Sequence, residues 1–295
     1  MNFPTTAAPG DDGGTLRTII HRGSPNPERF HFARTGFRRV HTVLPAGKSI
    51  GASVADLMRR ERCTGGVVEL SGGWLDPFRF VIPAEDPHKE HAVWYSDTRV
   101  CSGGAAIERA TCSVGLHKGT SSLHCHGLWR TASGELLGGH LLPDDNLITQ
   151  PVAVTAQLSA DAWFEQRLDE ETNFELFAVT GGGCGEGAIA TIRPNQDITE
   201  AIERMAHAAG IRKASVHGVG SLIDMSLTDG RIAHSLALEV AITGGRIVPH
   251  EGGIIVADLA MAGVGMDGVP FEGMLRRGRN NVCVTFELAL DAEDL

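Results

Sequence analysis

The sequence predicts an α+β protein of two tandem related domains, each a mostly antiparallel sheet with one main helix packed on it. Two observations lead there. Glycine is abundant, 37 of 295 residues, and many glycines fall between short apolar runs, as strands joined by tight turns require. The chain also repeats itself: Leu44 and Ile192, Ile50 and Ile198, and Leu57 and Met205 share an offset of 148. Around those positions the order strand, helix, strand, glycine turn occurs twice, and self-similarity at one period marks a repeated unit.

Residues 1–36 are rich in Pro, Gly, Asp and Thr and read as an N-terminal arm, with one short strand at 16–21. The first domain is placed at 37–168, a linker at 169–187 and the second domain at 188–295. The linker holds Gly-Gly-Gly-Cys-Gly-Glu-Gly over 181–187, a poor interior for helix or strand. The first helix passes through 54–58 and closes on Arg59, Arg60 and Arg62, cations at the negative end of the helix dipole. In the second helix Asp197 is the N-cap with Glu200 three residues on. There Ile198, Ile202, Met205 and Ala209 share one face and Gly210 stops the helix. Strands are expected at 38–44, 67–71, 78–82, 91–95, 109–116, 122–130, 135–142 and 149–158. In the second half they are expected at 188–193, 214–218, 223–228, 234–242, 253–259 and 282–290.

A net charge of −10 argues against a general nucleic-acid binder, which needs a concentrated basic surface. No apolar run reaches the roughly 18–20 residues of a membrane span. The N-terminal run lacks the basic start and apolar core of a secretory signal. The six cysteines form no Cys-x-x-Cys pair and read as reduced, so the cytoplasm is the expected compartment.

The segment Ser122-Leu-His-Cys-His-Gly-Leu-Trp-Arg-Thr-Ala-Ser-Gly-Glu-Leu-Leu-Gly-Gly-His140 carries the chemistry. Residues two apart on a strand point the same way, so His124 and His126 share a face. A turn at 131–134 separates two strand-like runs, and a hairpin symmetric about Ser133 sets His126 opposite His140. Three histidines and an open fourth position are the pattern of a catalytic-type zinc site, and nickel, iron and copper also accept imidazole. Gly138 and Gly139 are expected to leave room for a ligand, and Cys125, alternating with the histidines, is expected in the core.

The sequence His124-Cys-His126, the turn at Gly134 and Gly138-Gly-His140-Leu-Leu resemble the plants-and-prokaryotes-conserved domain, also called DUF296. The resemblance covers about 38–160 and, more weakly, 188–290. It implies a compact α+β domain, association into homo-oligomers, and a metal on the three histidines. The broader fold is similar to acetolactate decarboxylase and to a zinc-dependent ester hydrolase, which implies a chemistry without fixing it. Aligning Gly134 with Gly268 puts Asp258, Ala260 and Met274 where the histidines would be, so the second copy keeps the frame without the ligands. Tandem copies could also replace contacts that single-domain relatives make between subunits.

Two further residues are candidates for catalysis. Glu69, in the apolar run Val67-Val-Glu-Leu70, is an acid or base if it borders the metal, or else a solvent-facing charge. His117 is a substrate-facing group or part of a solvated turn. His88 and His91 follow Pro83 and Pro87 and read as a surface loop. Glu108, Arg109 and Arg130 either pair with one another or bind a carboxylate. Arg276-Arg-Gly-Arg-Asn280 departs from the Arg-Gly-Arg-Pro core of an AT-hook and reads as a basic turn. The expected function is a metal-dependent lyase or hydrolase acting on a small carboxylated or carbonyl compound. The alternatives are a non-catalytic ligand-binding or regulatory module and, least favoured by charge, a DNA-associated protein.

Overall fold

A computed structural model describes residues 16–293, so the start of the expected arm, 1–15, lies outside the described residues. Short strands aside, the first elements are β1 (Phe30–Thr35), β2 (Arg38–Leu44), α1 (Ile50–Glu61), β3 (Gly65–Leu75), β4 (Phe78–Val81), β5 (Ala105–His117), β6 (Thr120–Thr131), β7 (Leu136–Leu141) and β8 (Val152–Ser159). Then follow β9 (Ala162–Leu168), β10 (Glu175–Gly181), β11 (Gly187–Ile192), α2 (Ile198–Ala209), β12 (Ala214–Ile223), β13 (Leu238–Pro249), β14 (Ile255–Gly265), β15 (Pro270–Met274) and β16 (Asn281–Ala292).

The strands form two large sheets, mostly antiparallel. One has eleven strands on a main path β2-β8-β3-β5-β6-β7-β4; the other has seven, in the order β1-β11-β16-β12-β13-β14-β15. Leaving out β1 and β4, the two paths follow one scheme. The strand before the helix lies beside a late strand of its half, β8 in the first and β16 in the second, which lies beside the strand after the helix, and three antiparallel neighbours complete the row.

Both helices begin on a side-chain cap. Ser49 accepts from the Ala52 N–H and Asp197 from the Glu200 N–H. Both end in a left-handed residue, Arg62 in α1 and Gly210 in α2. Ile50, Val54, Leu57 and Met58 of α1 share a core with Val68, Leu70, Cys112, Cys125 and Trp129. Ile198, Ile202 and Met205 of α2 share another with Val240, Phe286, Leu288 and Leu290. Because side chains alternate along a strand, the residues between these core positions project from the opposite faces of the sheets. Those faces meet each other, which gives the layer order helix, sheet, sheet, helix. Polar pairs cross the seam: Arg39 with Asp291 at 2.5 Å, Arg109 with Glu272 at 3.0 Å, and Glu69 with His217 at 2.9 Å.

Several expectations change. No strand forms at 16–21; the arm's strand is β1, which pairs with β11 from Phe30↔Ile192 to Thr35↔Gly187. Phe30 and Phe32 alternate toward the α2 core, which gives β1 its register. The stretch 169–187 holds β10, paired along its length with β9, with irregular segments at 169–174 and 182–186 on either side. The expected strands at 91–95 and 223–228 shrink to Trp94–Tyr95 and Met225–Ser226. Among the described residues no helix is long and apolar enough to cross a membrane.

Candidate metal centre

The hairpin β6–β7 adopts the register read from its sequence, with His126 opposite His140. Cys125 falls on the other face and is fully buried in the α1 core. Thr111 of β5 extends the histidine row on one side and Val81 of β4 on the other. The facing nitrogens converge: Nε2 of His126 is 2.9 Å from Nε2 of His124 and 3.3 Å from Nδ1 of His140. Nitrogens set about 2.0–2.1 Å from one tetrahedral zinc ion are themselves about 3.3 Å apart. One ligand atom from each of the three residues lies within 4.8 Å of the others.

The rings are aimed by the second half of the chain. His124 Nδ1–H donates to the buried carboxylate of Glu287 on β16. His126 Nδ1–H faces the carbonyl oxygens of Gly220 at 3.1 Å and Val240 at 3.3 Å. A carboxylate or carbonyl behind these two imidazoles fixes their tautomers and leaves the other nitrogen's lone pair for a metal. Burial, with His124 and His140 nearby, holds His126 well below the usual histidine range. Burial and the neighbouring His124 push His140 down to about 3. Both rings are therefore neutral near pH 7, the form that ligates.

The remaining side opens to a cavity and is bordered by Glu239 of β13. Its Oε1 is 3.9 Å from both His126 Nε2 and His140 Nδ1. Its Oε2 is buried without a hydrogen-bond partner, and burial pushes the carboxyl well above its usual range. A buried, unpartnered carboxyl is costly, and a cation beside it removes that cost. The donor set thus fits a divalent metal, with three converging imidazoles, outer partners behind His124 and His126, and one carboxyl at the open face.

A cavity of about 570 Å³ opens beside these residues. Its wall is aromatic: Trp94 and Phe174 have ring centroids 5.1 Å apart, and Tyr95 meets His140 edge-on at 5.3 Å. Asp86 ties down the loop behind this wall, accepting from the backbone N–H groups of His88, Glu90 and His91 and from His91 Nδ1. His91 in turn stacks on Trp94 at 4.1 Å and reaches the Asn173 carbonyl. His91 therefore supports the wall, while His88 is exposed.

Other sequence candidates fall elsewhere. Glu69 lies on the histidine face, in the row Glu69–Thr111–His126, but two strands and hence about 10 Å from His126, and it pairs with His217. His117 lies 3.5 Å from Glu175, and neither it nor Glu69 lines the cavity. Gly138 and Gly139 make no room for a ligand. A Cβ at Gly139 would meet the Val81 carbonyl at 2.3 Å, and one at Gly138 would meet Leu128 at 2.9 Å, so these glycines let neighbours pack against the hairpin. Arg130 pairs with Glu108, Arg109 with Glu272, and Arg277 of the basic turn with Glu203.

Residues 179–292 match the Plants and Prokaryotes Conserved (PCC) domain family. The match falls on the half without the three-histidine cluster, whereas the sequence resemblance is stronger in the first half. Among solved structures, the chain is similar to a metal-containing protein from Archaeoglobus fulgidus, at 17% identity and a TM-score of 0.40, over 50% of this chain and 96% of that one. It is similar to a plant- and prokaryote-conserved protein from Pyrococcus horikoshii, at 18% identity and a TM-score of 0.37, over 52% and 97%. A candidate DNA-binding protein from Ralstonia eutropha matches at 18% identity and a TM-score of 0.39, over 49% and 94%. No curated protein matches the chain.

Proposed function

Since this chain carries a Plants and Prokaryotes Conserved domain, we propose that it is a tandem pair of such units whose first half holds a divalent metal, zinc by preference, on His124, His126 and His140. We further propose that the site is hydrolytic or lytic and acts on a small carbonyl compound. The observation that carries this reading is Glu239. A metal serving structure alone is closed by its four ligands, whereas here three histidines leave a side open to a cavity, with a free carboxyl at its edge. A bound zinc ion would polarise a carbonyl oxygen or lower the pKa of a water. Glu239 would accept a proton there and deliver it to a leaving group. Glu287 would hold the His124 ring, and the Trp94–Phe174 wall would exclude water from the reacting side.

The test is metal content together with turnover. The purified chain should hold about one zinc per chain, and His126→Ala should lose both metal and activity towards small esters. Turnover that persists without metal defeats the catalytic reading. Metal without turnover, with a thermal midpoint that falls on chelation, marks a metal-stabilised binding module instead.

The tandem units would supply to each other the contacts that single-domain relatives make between subunits, and further association of the chain is open to sedimentation analysis. Duplex binding is disfavoured by the net charge of −10 and by the pairing of Arg277 with Glu203. A salt-sensitive gel-shift complex would reverse that judgement.

A further inference from the structure

We infer that the cavity selects an uncharged carbonyl compound with a flat apolar body, an ester or lactone rather than a carboxylate; this rests on reading the three histidines as a metal site. Besides the histidines, the ionisable side chains that line the cavity are Tyr95, Glu175, Glu239 and Glu287, and no lysine or arginine lines it among the described residues. Proteins hold carboxylates with guanidinium or ammonium groups, which replace the hydration the anion gives up. An anionic substrate entering here meets three carboxyl groups instead. The two positive charges of a divalent cation face Glu239 and Glu287, so they leave no surplus to attract an anion. The rings of Trp94, Tyr95 and Phe174 offer a planar body the faces and edges that aromatic contacts need.

This selects hydrolysis over decarboxylation, whose substrate is itself a carboxylate. In hydrolysis a water oxygen bonds to the acyl carbon and the acyl C–O bond breaks. Glu239 takes the water's proton and returns it to the departing alkoxide, so one ester and one water give one acid and one alcohol with no oxidant. The acid then ionises, and the carboxyl groups that excluded anions on entry favour its departure.

Calorimetric titration of the zinc-loaded full-length chain with acetophenone and with benzoate, probes of similar size that differ in charge, tests the inference. Acetophenone should bind roughly ten-fold or more tightly than benzoate. Trp94→Ala should weaken acetophenone roughly ten-fold while zinc content stays unchanged. Benzoate binding as tightly as acetophenone, no binding of acetophenone, or a Trp94→Ala chain that binds it normally each overturns the inference. Zinc assayed in the same samples keeps the two readings apart. A chain that takes up no zinc defeats the metal reading, and the zinc-free titration then still decides the charge preference, because the glutamates and the aromatic wall belong to the chain itself.

Discussion

The two halves use one strand order and one helix position but carry opposite halves of the site's chemistry. Where the first half sets His126 opposite His140, the second sets Ala260 opposite Met274. The reverse exchange occurs among the carboxylates. Glu287 pairs with Val219, and the position 148 before Val219, Ser71, pairs with Ala153. Glu239 pairs with Val264, and the position 134 before it, Arg130, pairs with Ala106. Alanines thus stand in the first half where the second has the two glutamates that face the histidine cluster, and the second half has no histidine where the first has that cluster. The half that lacks the histidines is the half whose glutamates surround them.

This division of labour can be broken from either side. The largest effect is expected from the first half: His126→Ala should lower zinc affinity by more than about 100-fold, since losing even an outer-shell partner costs about 10–100-fold. Glu287→Gln, in the second half, should cost about 10–100-fold in zinc affinity with the three histidines untouched, read by competition with a chelating dye. A variant with unchanged affinity would return the second half to a purely architectural role. The helix caps sharpen the comparison: Asp197→Ala and Ser49→Ala should each lower stability by about 1 kcal/mol in chemical denaturation, because each removes the one side-chain acceptor at its helix N-terminus.

Acid should act on the cavity wall. Burial alone would raise the Asp86 carboxyl, but the N–H groups of His88, Glu90 and His91 and the His91 ring outweigh it and hold the group down to about 2. A carboxylate depressed in the folded state stabilises fully above its unfolded value, about 3.9, and loses that contribution as pH falls through about 2. The thermal midpoint of the wild-type chain should therefore drop between about pH 4 and pH 2 more than that of Asp86→Asn. Least of all, Glu69→Gln should change stability by less than about 1 kcal/mol, since its pair with His217 is part exposed.

Much of this was legible in the residues. The Asp197 cap, the Gly210 stop and the register of the histidine hairpin follow from local rules, because caps and tight turns are decided within a few residues. Glu239 and Glu287 were missed, although the signal that singled out Glu69, a lone charge in an apolar strand, is present at both. Glu239 stands in Ala237-Leu-Glu-Val-Ala241 and Glu287 in Phe286-Glu-Leu288. Alternation says such a group leaves the helix-covered face. It does not say which strand of the other sheet that face will meet, and the partners here are 99 to 163 residues apart. Glu69 obeyed the same rule and arrived two strands away, beside His217, the residue 148 positions further on. Strand β1 was overlooked because the prolines before it masked the alternation of Phe30 and Phe32.

That strand also sets a constraint on biosynthesis. Phe30–Thr35 leaves the ribosome before either sheet exists, yet its partner Gly187–Ile192 is made more than 150 residues later. At about 5–20 residues per second the segment waits on the order of ten to thirty seconds with its backbone unpaired. The charges of Glu28, Arg29 and Arg34 in and around it are suited to keeping a waiting strand from pairing with neighbouring nascent chains. It also means that a cut at 182–186 would not yield two independent pieces, because one piece would leave with the other's edge strand.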